Sequence, residues 1–433
     1  MYRDGLLEKY EEIAVIGFGA TGRAVADFLV DKKVKVFVSE RNSINPEIKA
    51  NFQQKGVNFE EGSHSKRLLN SDLIVLSPGV DPEGDLLKEA RELGISTIGE
   101  IEFAYMLSPT DKIVAVTGTN GKSTTVKLIN EILNHQGINS IACGNIGTPF
   151  ISVISSLSPA DVAVVETSSY QLQTTEGFKP RVAVLTNLEP DHLERHGSFE
   201  KYSEVKLRVF NNQDEKDCAV IQRGLNQKIT NGKPTKIEFG PREPLGTNLL
   251  PHQKENVGAA LAAVNCLLEN KELDRPPQEP VRKGLKLPHR LETVKEINGV
   301  EFVNDSKATN PAATIAAIEG FTRPLRLLLG GKAKGSGYKR LAEKIEGSSV
   351  RSIYLFGAAG TKLADSFRNQ GIDRFDIYSS LEDATKGAFF HARESEVVLL
   401  SPGCSSFDRF NNFEERGERF TEIVNGLSKK KKG

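Results

Sequence analysis

Residues 113–125 join a short apolar run to a glycine-rich loop that could bind phosphate. The segment reads Ile-Val-Ala-Val-Thr-Gly-Thr-Asn-Gly-Lys-Ser-Thr-Thr, so Gly118 and Gly121 precede Lys122 and Ser123. Glycine lets main-chain N–H groups approach an anion closely, and the N-terminus of a following helix carries partial positive charge. The lysine would reach the terminal phosphates of a nucleotide, and a hydroxyl could bind Mg²⁺. The segment therefore predicts a nucleotide-phosphate loop, in a rarer form than the usual Walker A sequence.

Residues able to bind a metal ion or an anion also follow other apolar runs. Glu166 ends the run 162–166, and His192 comes shortly after the run 182–185. Parallel strands that end in polar residues place those residues at the ligand-binding edge of a sheet. Beside a phosphate loop, we therefore favour Mg²⁺ binding by Glu166 over the capping of a helix. His192 is a second metal candidate, whereas Arg195 could pair either with a carboxylate substrate or with a surface acid.

Two polar segments in the last third of the chain also follow apolar runs. Residues 304–310 include Asp305, Lys307 and Thr309, whose spacing predicts that they project toward one site. A helix cap would explain part of this segment, although a cap would not need the lysine. Residues 401–417 offer hydroxyl groups and glycine that could bind a second small anion. No serine–histidine–aspartate or cysteine–histidine spacing favours nucleophilic catalysis.

A second glycine pattern lies near the N-terminus. Gly17, Gly19 and Gly22 follow an apolar run in the arrangement of a dinucleotide-binding turn, and Glu40 stands where an acid would contact a ribose. An NAD-dependent oxidoreductase is therefore an alternative for this part of the chain. Because a separate phosphate loop follows, a site for a nucleotide diphosphate is the favoured interpretation.

These candidate residues need α/β elements to position them. Strand-like and helix-like segments alternate along the chain, which is typical of α/β folds with parallel sheets, and 433 residues exceed one ordinary core. We predict a Rossmann-like N-terminal domain (1–110), a central P-loop-type ATPase domain with a parallel sheet (111–286) and a C-terminal Rossmann-like α/β domain (287–433). The segment 213–251 is weakly patterned, and its elements cannot be assigned from the sequence. Substrates are expected to meet between domains.

Composition excludes several classes of protein. Basic and acidic residues both number 57, so no net charge attracts nucleic acid or a membrane surface. The four cysteines are widely spaced without a CxxC pair, which argues against a disulfide scaffold and favours a reducing compartment. No apolar stretch is long enough to span a bilayer, and no signal peptide is evident. We expect a cytoplasmic protein without membrane insertion.

Taken together, these segments resemble the Mur ligases, the ATP-dependent amino-acid-adding enzymes of bacterial peptidoglycan synthesis. The resemblance covers nearly the whole chain and is greatest to the branch that adds D-glutamate to UDP-N-acetylmuramoyl-L-alanine. No Asp-Asn-Pro-Arg signature of the diaminopimelate- or lysine-adding branch is present. The segments that carry the resemblance are 118–124, 144–147, 166–171, 191–192, Lys206, 287–290, 304–310 and 401–408.

The resemblance implies an acyl-phosphate reaction, with ATP and two Mg²⁺ ions as cofactors and a monomeric enzyme. The implied catalytic residues are Lys122, Glu166, His192, Lys206 and Lys307. The implied ATP contacts are Gly118, Thr119, Asn120, Gly121, Lys122, Ser123, Thr124, Asn256, Arg290 and Asp305. The implied metal ligands are Ser123, Glu166, His192 and Lys206, the last as a carbamate. The implied UDP-substrate contacts are Ala20, Thr21, Arg41, Ser77, Gly79, Asn145 and Ser168. The implied D-glutamate contacts are Arg195, Thr309, Lys334, Ser406 and Phe413.

The sequence departs from the pattern of this family at three places. Residues 39–41 read Ser-Glu-Arg where the family has an Asp-Thr-Arg-like sequence, Gln253 replaces an asparagine of the adenine motif, and Lys286 replaces a glycine. These changes concern nucleotide contacts more than the reacting groups. The alternatives are another Mur-type or folylpolyglutamate-type ligase with a different acceptor, an NAD-dependent oxidoreductase, and a non-catalytic nucleotide-binding regulator.

Overall fold

The computed structural model describes residues 4–225, 232–268, 272–333 and 338–427. Helices alternate with the strands of three mainly parallel sheets, which confirms the predicted α/β class. The chain divides into two compact units. Unit 1 comprises Met1–Leu188, Ser203–Thr247 and Lys254–Gly284 and contains the first and second sheets, whereas unit 2 comprises Glu189–Tyr202, Asn248–Gln253 and Leu285–Gly433 and contains the third.

The first sheet is parallel throughout and has the spatial order β3-β2-β1-β4-β5. Its strands are β1 (Glu12–Ile16), β2 (Lys35–Glu40), β3 (Asn58–Glu61), β4 (Leu73–Leu76) and β5 (Ser96–Gly99). Its helices are α1 (Ala20–Asp31), α2 (Pro46–Gln54), α3 (Asp85–Glu92) and α4 (Glu100–Leu107), with 3₁₀ helices at Asp4–Lys9 and Lys66–Asn70. Strand β4, between β1 and β5, is entirely apolar and buried, as expected where helices cover both faces of a sheet.

The second sheet is also parallel throughout, in the order β11-β10-β9-β6-β8-β7. Its strands are β6 (Ile113–Thr117), β7 (Ser140–Gly144), β8 (Val162–Glu166), β9 (Val182–Leu185), β10 (Cys218–Gln222) and β11 (Thr235–Phe239). The helices from this part of the chain are α5 (Lys122–His135), α6 (Phe150–Val153), α7 (Ser169–Leu172), α8 (Leu193–His196), α9 (Phe199–Leu207), α10 (Pro251–Asn265) and α11 (Gln278–Leu285), with 3₁₀ helices at Ile154–Ser156 and Arg208–Phe210. Strands β10 and β11 fall in the segment whose elements could not be assigned from the sequence.

Helix α4 carries two buried carboxylates that bind main-chain groups of the second sheet's connections. The carboxylate of Glu102 accepts from the N–H groups of Glu176, Gly177 and Phe178 at 2.9–3.0 Å. One oxygen of Glu100 accepts from the N–H of Ile151 at 2.8 Å. Because α4 directly follows β5, these bonds fix the end of the first sheet to the body of the second within unit 1.

The third sheet has the order β12-β13-β17-β14-β15-β16 and is parallel except for the β12–β13 pair. Its strands are β12 (Glu292–Ile297), β13 (Val300–Asn304), β14 (Leu325–Gly330), β15 (Val350–Phe356), β16 (Phe375–Ile377) and β17 (Val397–Leu400). Its helices are α12 (Pro311–Ile318), α13 (Tyr338–Glu346), α14 (Gly360–Arg368), α15 (Leu381–His391) and α16 (Phe413–Gly426). The β12–β13 hairpin turns at Asn298 and Gly299, which both have positive φ, the conformation that an Asn-Gly turn favours. Among the described residues, no helix has the length and apolar character needed to cross a bilayer.

Candidate nucleotide and metal site

The connection from β6 to α5 is a tight loop that only glycine can form at two positions. Gly118 has φ +140° and Gly121 has φ +85°, a region that side chains other than glycine rarely adopt. A Cβ atom on Gly118 would overlap the hydroxyl of Thr186, and one on Gly121 would overlap the side-chain oxygen of Asn256. The predicted ATP contact Asn256 therefore packs directly against the loop. Helix α5 begins immediately after the loop, so its N-terminal N–H groups are available to an anion.

Two residues that were not predicted as site residues hold this loop in place. The side chain of Asn187 accepts from the main-chain N–H of Asn120 at 2.9 Å and donates to the carbonyl of Asn120 at 3.0 Å. The hydroxyl of Thr186 donates to the same carbonyl at 2.7 Å. The only signal in the sequence was that these two polar residues directly follow the apolar strand β9. Their partners lie more than 60 positions away, so the hydrogen bonds themselves could not be predicted.

Two of the predicted catalytic lysines meet at this loop. The ammonium of Lys122 donates to the carbonyls of Gly118 and Thr119 at 3.0 and 2.8 Å. The ammonium of Lys206, on α9, donates to the Gly118 carbonyl at 2.7 Å although its side chain is only 1% exposed. A buried cation is unfavourable unless polar groups compensate it. The fold thus concentrates positive charge where the sequence predicts the phosphates.

Glu166 lies beside the loop because β8 is the neighbour of β6, with Glu166 in register with Val116. One carboxylate oxygen accepts from the Asn145 amide at 2.9 Å, while the other is buried and has no hydrogen-bond partner among the described residues. An unsatisfied buried carboxylate oxygen is energetically costly, and a bound cation would satisfy it. The hydroxyl of Thr124 in α5 is also buried without a partner in the part of the chain that the structure describes. Carboxylate and hydroxyl oxygens are ligands that suit Mg²⁺, and Ser123, predicted as a metal ligand, is also buried.

The described residues contain no group of three or more His, Cys, Asp and Glu side chains of the kind that forms a complete metal cage. Mg²⁺ does not need such a cage, since proteins hold it through one or two carboxylates together with substrate phosphates and water. The arrangement around Glu166 is therefore of the type that binds Mg²⁺ with a nucleotide.

Five of the predicted UDP-substrate residues lie in loops or helix starts that follow β1, β2 and β4 of the first sheet. Since these strands are parallel, their carboxyl ends share one edge. The hydroxyl of Ser77 donates to the Gly17 carbonyl at 2.9 Å and so stabilises the glycine turn after β1. The five predicted UDP-substrate residues at this edge are Ala20, Thr21, Arg41, Ser77 and Gly79.

The carboxylate of Glu40, the residue considered for a ribose contact, binds the protein main chain. One oxygen accepts from the N–H of Phe18 at 2.6 Å and the other from the N–H of Asn42 at 2.8 Å. Glu40 therefore links the glycine turn to the end of β2. The remaining two predicted UDP-substrate residues lie beside the second sheet: Asn145 contacts Glu166, and Ser168 caps α7 through a reciprocal pair of bonds with Gln171.

The predicted residue His192 lies in unit 2, in a left-handed conformation with φ +52°. Its N–H donates to Asp191 Oδ1 at 2.9 Å, and Asn310 donates to the other oxygen of Asp191 at 3.3 Å. Such backbone conformations in residues other than glycine are strained and are frequent at functional sites. The main-chain N–H of Arg195 donates to the His192 carbonyl at 3.0 Å, which places these two predicted residues in one turn.

Unit 2 also positions a buried carboxylate at the end of β13. Asp305 accepts from the Ser401 hydroxyl at 2.9 Å and from the N–H of Leu291 at 3.3 Å. Burial raises the pKa of Asp305 to about 7, although the nearby positive charge of Arg290 opposes this rise. The two predicted ATP contacts Asp305 and Arg290 are thus electrostatic neighbours. Burial and Arg290 also lower the pKa of His252 to about 4, which keeps this imidazole neutral at physiological pH.

Lys307, predicted as a catalytic residue, and Phe413, predicted as an acceptor contact, are in contact. The Lys307 ammonium lies 5.1 Å from the centre of the Phe413 ring, a cation–π geometry. Thr309 is half-buried beside this lysine, and the buried residue Ser406 accepts through its carbonyl from the N–H groups of Arg409 and Phe410. Lys334, also predicted as an acceptor contact, lies outside the described residues.

The sequence did not single out Arg416, which joins the two polar segments of unit 2. This arginine is fully buried and donates to the carbonyl of Ser306 at 2.8 Å, to its hydroxyl at 3.0 Å and to the carbonyl of Cys404 at 3.0 Å. Burial lowers its pKa to about 10, so it stays charged at neutral pH. An arginine within a charged helix resembles a surface residue, and nothing in the sequence signalled its burial.

Comparison with known proteins places the whole chain in one family. Residues 12–86 match the family described as MurD N-terminal domain, residues 116–258 the Mur ligase middle domain, and residues 289–404 the Mur ligase glutamate ligase domain. The UDP-N-acetylmuramoylalanine–D-glutamate ligase of Koribacter versatilis is 36% identical, over 98% of this chain and 99% of the relative. The enzyme of the same name from Pelotomaculum thermopropionicum is also 36% identical, over 97% of this chain and 98% of the relative.

Solved structures agree on the fold. The MurF ligase from Thermotoga maritima, in complex with ADP, has a TM-score of 0.59 at 18% identity, covering 97% of this chain and 96% of that one. The UDP-N-acetylmuramate–alanine ligase MurC from the same organism has a TM-score of 0.58 at 16% identity, covering 96% of this chain and 99% of that one. The sequence relatives, which align over almost their entire length, and the three family matches show that the chain belongs to the Mur ligase family.

Proposed function

We propose that this protein is an ATP-dependent amide ligase that joins D-glutamate to UDP-N-acetylmuramoyl-L-alanine. The observation that carries this proposal is the loop at Gly118, where two lysines, Lys122 and Lys206, donate to one carbonyl beside the buried, half-satisfied carboxylate of Glu166. Lys122 would offset the negative charge of phosphoryl transfer, and Glu166 with a carbamate on Lys206 would hold the Mg²⁺ that this transfer uses. The acceptor and the sugar nucleotide are inferred from the names of the relatives in Koribacter versatilis and Pelotomaculum thermopropionicum.

The chemistry requires activation of a carboxylate. The L-alanyl carboxylate attacks the terminal phosphorus of ATP, and the bond to ADP breaks to give an acyl phosphate. The amine of D-glutamate then adds to the acyl carbon, loses a proton, and expels inorganic phosphate. Negative charge gathers on the transferring phosphoryl group, and Lys122 is placed to offset it. The N-terminus of α5 contributes further positive potential.

We propose Ser123, Glu166, His192 and Lys206 as the residues that hold Mg²⁺, with two ions when the site is filled. Bound Mg²⁺ would orient the phosphate oxygens and neutralise part of their charge. Glu166 supplies the buried oxygen that lacks a partner among the described residues, and Asn145 holds the other oxygen of this carboxylate in position.

Lys206 is proposed to act as a carbamate. Its neutral amine would add to carbon dioxide and release a proton, which converts a buried cation into a carboxylate-like ligand. The burial of this side chain at the loop supports the proposal, because a buried cation is unfavourable and the carbamate would replace it with a metal ligand.

The remaining predicted residues are assigned by the same resemblance. ATP would contact the loop residues 118–124 together with Asn256, Arg290 and Asp305, and the acceptor would contact Arg195, Lys307, Thr309, Lys334, Ser406 and Phe413. We also propose domain boundaries at 110/111 and 286/287, a monomeric state and a cytoplasmic location. Within this family, a ligase with a different amino-acid acceptor is the alternative, since the acceptor pocket determines that choice.

Phosphate release from ATP with Mg²⁺ and UDP-N-acetylmuramoyl-L-alanine tests the proposal. We expect release that depends on D-glutamate and that L-glutamate, lysine and diaminopimelate do not support. Lys122→Met should abolish phosphate release. Lys112 is an exposed lysine before β6, and Lys112→Met should leave phosphate release unchanged. Release with a different amino acid would reassign the acceptor, and no release with any acceptor would overturn the ligase proposal.

A further inference from the structure

One buried arginine contacts the ends of three neighbouring strands of the third sheet. Strands β13, β17 and β14 are adjacent and parallel, so their carboxyl ends lie at one edge. The guanidinium of Arg416, on α16, donates to the carbonyl of Ser306 after β13 and to the carbonyl of Cys404 after β17. It also reaches the carbonyl of Gly330, the last residue of β14, at 3.5 Å. A single side chain therefore connects the ends of all three strands.

The same guanidinium is linked to the start of its own helix. Its Nε donates to the Ser306 hydroxyl at 3.0 Å, and this hydroxyl donates to the carbonyl of Phe413 at 2.8 Å. Phe413 is the first residue of α16 and lies less than one turn before Arg416. The Ser306 hydroxyl thus bridges the guanidinium and the first turn of the helix.

The loops that follow β14 and β17 are joined to each other beside this arginine. Lys332 and Ser405 exchange two main-chain hydrogen bonds, at 2.8 and 3.0 Å. A Cβ atom on Gly331 would overlap the Ser405 carbonyl oxygen and would come within 3.0 Å of Arg416 Nη1. The glycine therefore lets the two loops approach closely, and the guanidinium lies where they meet.

Stability alone is a weak reason for a buried arginine at this place. Its hydrogen bonds described above go to neutral partners, which are carbonyl groups and one hydroxyl. Taking a charge out of water is unfavourable, and apolar side chains of similar volume often replace buried ionic groups without loss of stability. A guanidinium offers what apolar side chains lack, because its rigid planar set of N–H donors can fix several loops at once.

The segments that Arg416 connects carry residues proposed to contact the amino-acid acceptor. Lys307 and Thr309 follow β13, Ser406 follows β17, and Phe413 begins α16. We propose that Arg416 is a positioning residue for the acceptor, whose guanidinium holds these contacts in the arrangement that binds an amino acid. The inference rests on the proposed function, from which the acceptor contacts are taken.

ATP binding should depend much less on Arg416. The proposed ATP contact Asp305 accepts from the Ser401 hydroxyl at 2.9 Å and from the N–H of Leu291 at 3.3 Å, and neither hydrogen bond involves the guanidinium. Loss of Arg416 should therefore raise KM for the acceptor more than KM for ATP. A purely structural role would instead reduce the amount of active enzyme, which lowers the apparent kcat and leaves both KM values unchanged.

Initial rates of phosphate release, measured against D-glutamate and against ATP, test the inference. Arg416→Met should raise KM for D-glutamate by at least about tenfold and KM for ATP by less than about threefold. Arg416→Lys keeps the charge and part of the donor set, so it should recover part of the lost affinity for D-glutamate. Arg419→Met, at an exposed position of the same helix, is the matched control and should behave as the wild type.

A second variant keeps the inference testable if Arg416→Met does not fold. Ser306→Ala removes the bridge to Phe413 but leaves the bonds from the guanidinium to the carbonyls of residues 306 and 404. It should raise KM for D-glutamate by about threefold or more, the effect of losing one hydrogen bond.

The wild type separates failure of this inference from failure of the proposed function. If the wild type is active and KM for D-glutamate is unchanged in the variants, or rises equally with KM for ATP, Arg416 is not a positioning residue for the acceptor and the proposed function stands. If the wild type uses a different amino acid, the same comparison applies to that acceptor. If it releases no phosphate with any amino acid, the proposed function fails and this inference fails with it.

Discussion

The Lys206 ammonium donates to the carbonyl of Gly118 at 2.7 Å, so a buried amine from α9 contacts the first glycine of the phosphate loop. This glycine carbonyl also accepts from Lys122 at 3.0 Å. The loop would therefore keep one of its two lysine contacts if Lys206 were replaced. The contribution of Lys206 to catalysis can for this reason be measured separately from its contribution to the loop's structure.

Lys206→Met should lower kcat for phosphate release by at least about 100-fold, the usual effect of removing one electrostatic group from a phosphoryl-transfer site. The unfolding midpoint should change little, because methionine fills the same space and Lys122 still donates to Gly118. Lys201→Met, an exposed position on the same helix, provides the matched control. A Lys206→Met enzyme with nearly normal kcat would remove Lys206 from the proposed catalytic residues.

Asn187→Ala should weaken ATP binding by about tenfold, since the loop at Asn120 loses two side-chain hydrogen bonds worth about 1 kcal/mol each. The value of kcat at saturating ATP should change much less, because Asn187 positions the loop without contacting the reacting atoms. Initial rates at several ATP concentrations separate the two quantities. The exposed residue Asn51 on α2 supplies the control Asn51→Ala. An unchanged KM for ATP would show that Thr186 alone holds the loop.

Gly121→Ala should abolish ATP binding, because a Cβ there would overlap Asn256 and because φ is +85°. Gly137→Ala is a matched control, since Gly137 has φ +77° but an added Cβ would meet no atom of the described residues within 4 Å. The control should lose about 1 kcal/mol of stability from backbone strain and still bind ATP.

The double variant Gly121→Ala/Asn256→Ala relieves the overlap but not the strain. Isothermal titration with ATP should therefore detect weak binding that Gly121→Ala lacks, still below the wild type because the strain and the loss of the proposed ATP contact Asn256 both remain. If the single Gly121→Ala variant binds ATP as tightly as the wild type, the loop does not bind nucleotide in this conformation.

Glu100 should make the stability of the protein fall as the pH rises. Burial raises its pKa from 4.5 to about 7, so between these values the folded protein binds a proton that the unfolded chain releases. The free energy of unfolding then decreases with rising pH, by at most about 3 kcal/mol for this group. In Glu100→Gln, urea unfolding measured from about pH 5 to about pH 8 should depend less on pH than in the wild type.

Glu92→Gln, at an exposed position of α3, is the matched control and should retain the pH dependence of the wild type. If Glu100→Gln shows the same decrease as the wild type over this range, Glu100 is ionised in the folded protein and another group compensates its burial.

The strands that carry the phosphate loop were predictable because their apolar residues are consecutive and their ends are polar. Strands β6, β8 and β9 and their polar ends follow from that pattern alone. Edge strand β11, which reads Thr-Lys-Ile-Glu-Phe, is mostly exposed, so its sequence lacks the apolar run on which such a prediction depends. Strand β12 was missed for the same reason.

Site residues that act through distant main-chain groups were not predictable in the same way. Arg416 and Asn187 owe their positions to carbonyl and N–H groups of remote segments, and main-chain groups carry no signal in the sequence. Lys122 and Glu166, in contrast, could be named because a local motif or strand end identifies each of them. The roles assigned to Lys122 and Glu166 remain predictions.

Three successive main-chain N–H groups donate to the Glu102 carboxylate on α4. These hydrogen bonds make α4 a spacer that keeps the distance between the first and second sheets constant. The substrate nucleotide would bind at the edge of the first sheet, and its carboxylate must reach Gly118. The fixed length of α4 would therefore set the distance that the substrate has to span. A precursor with a shorter or longer link between its two ends would place its carboxylate away from the loop. The protein would then discriminate between substrates by their length, and no single residue would be needed for this discrimination.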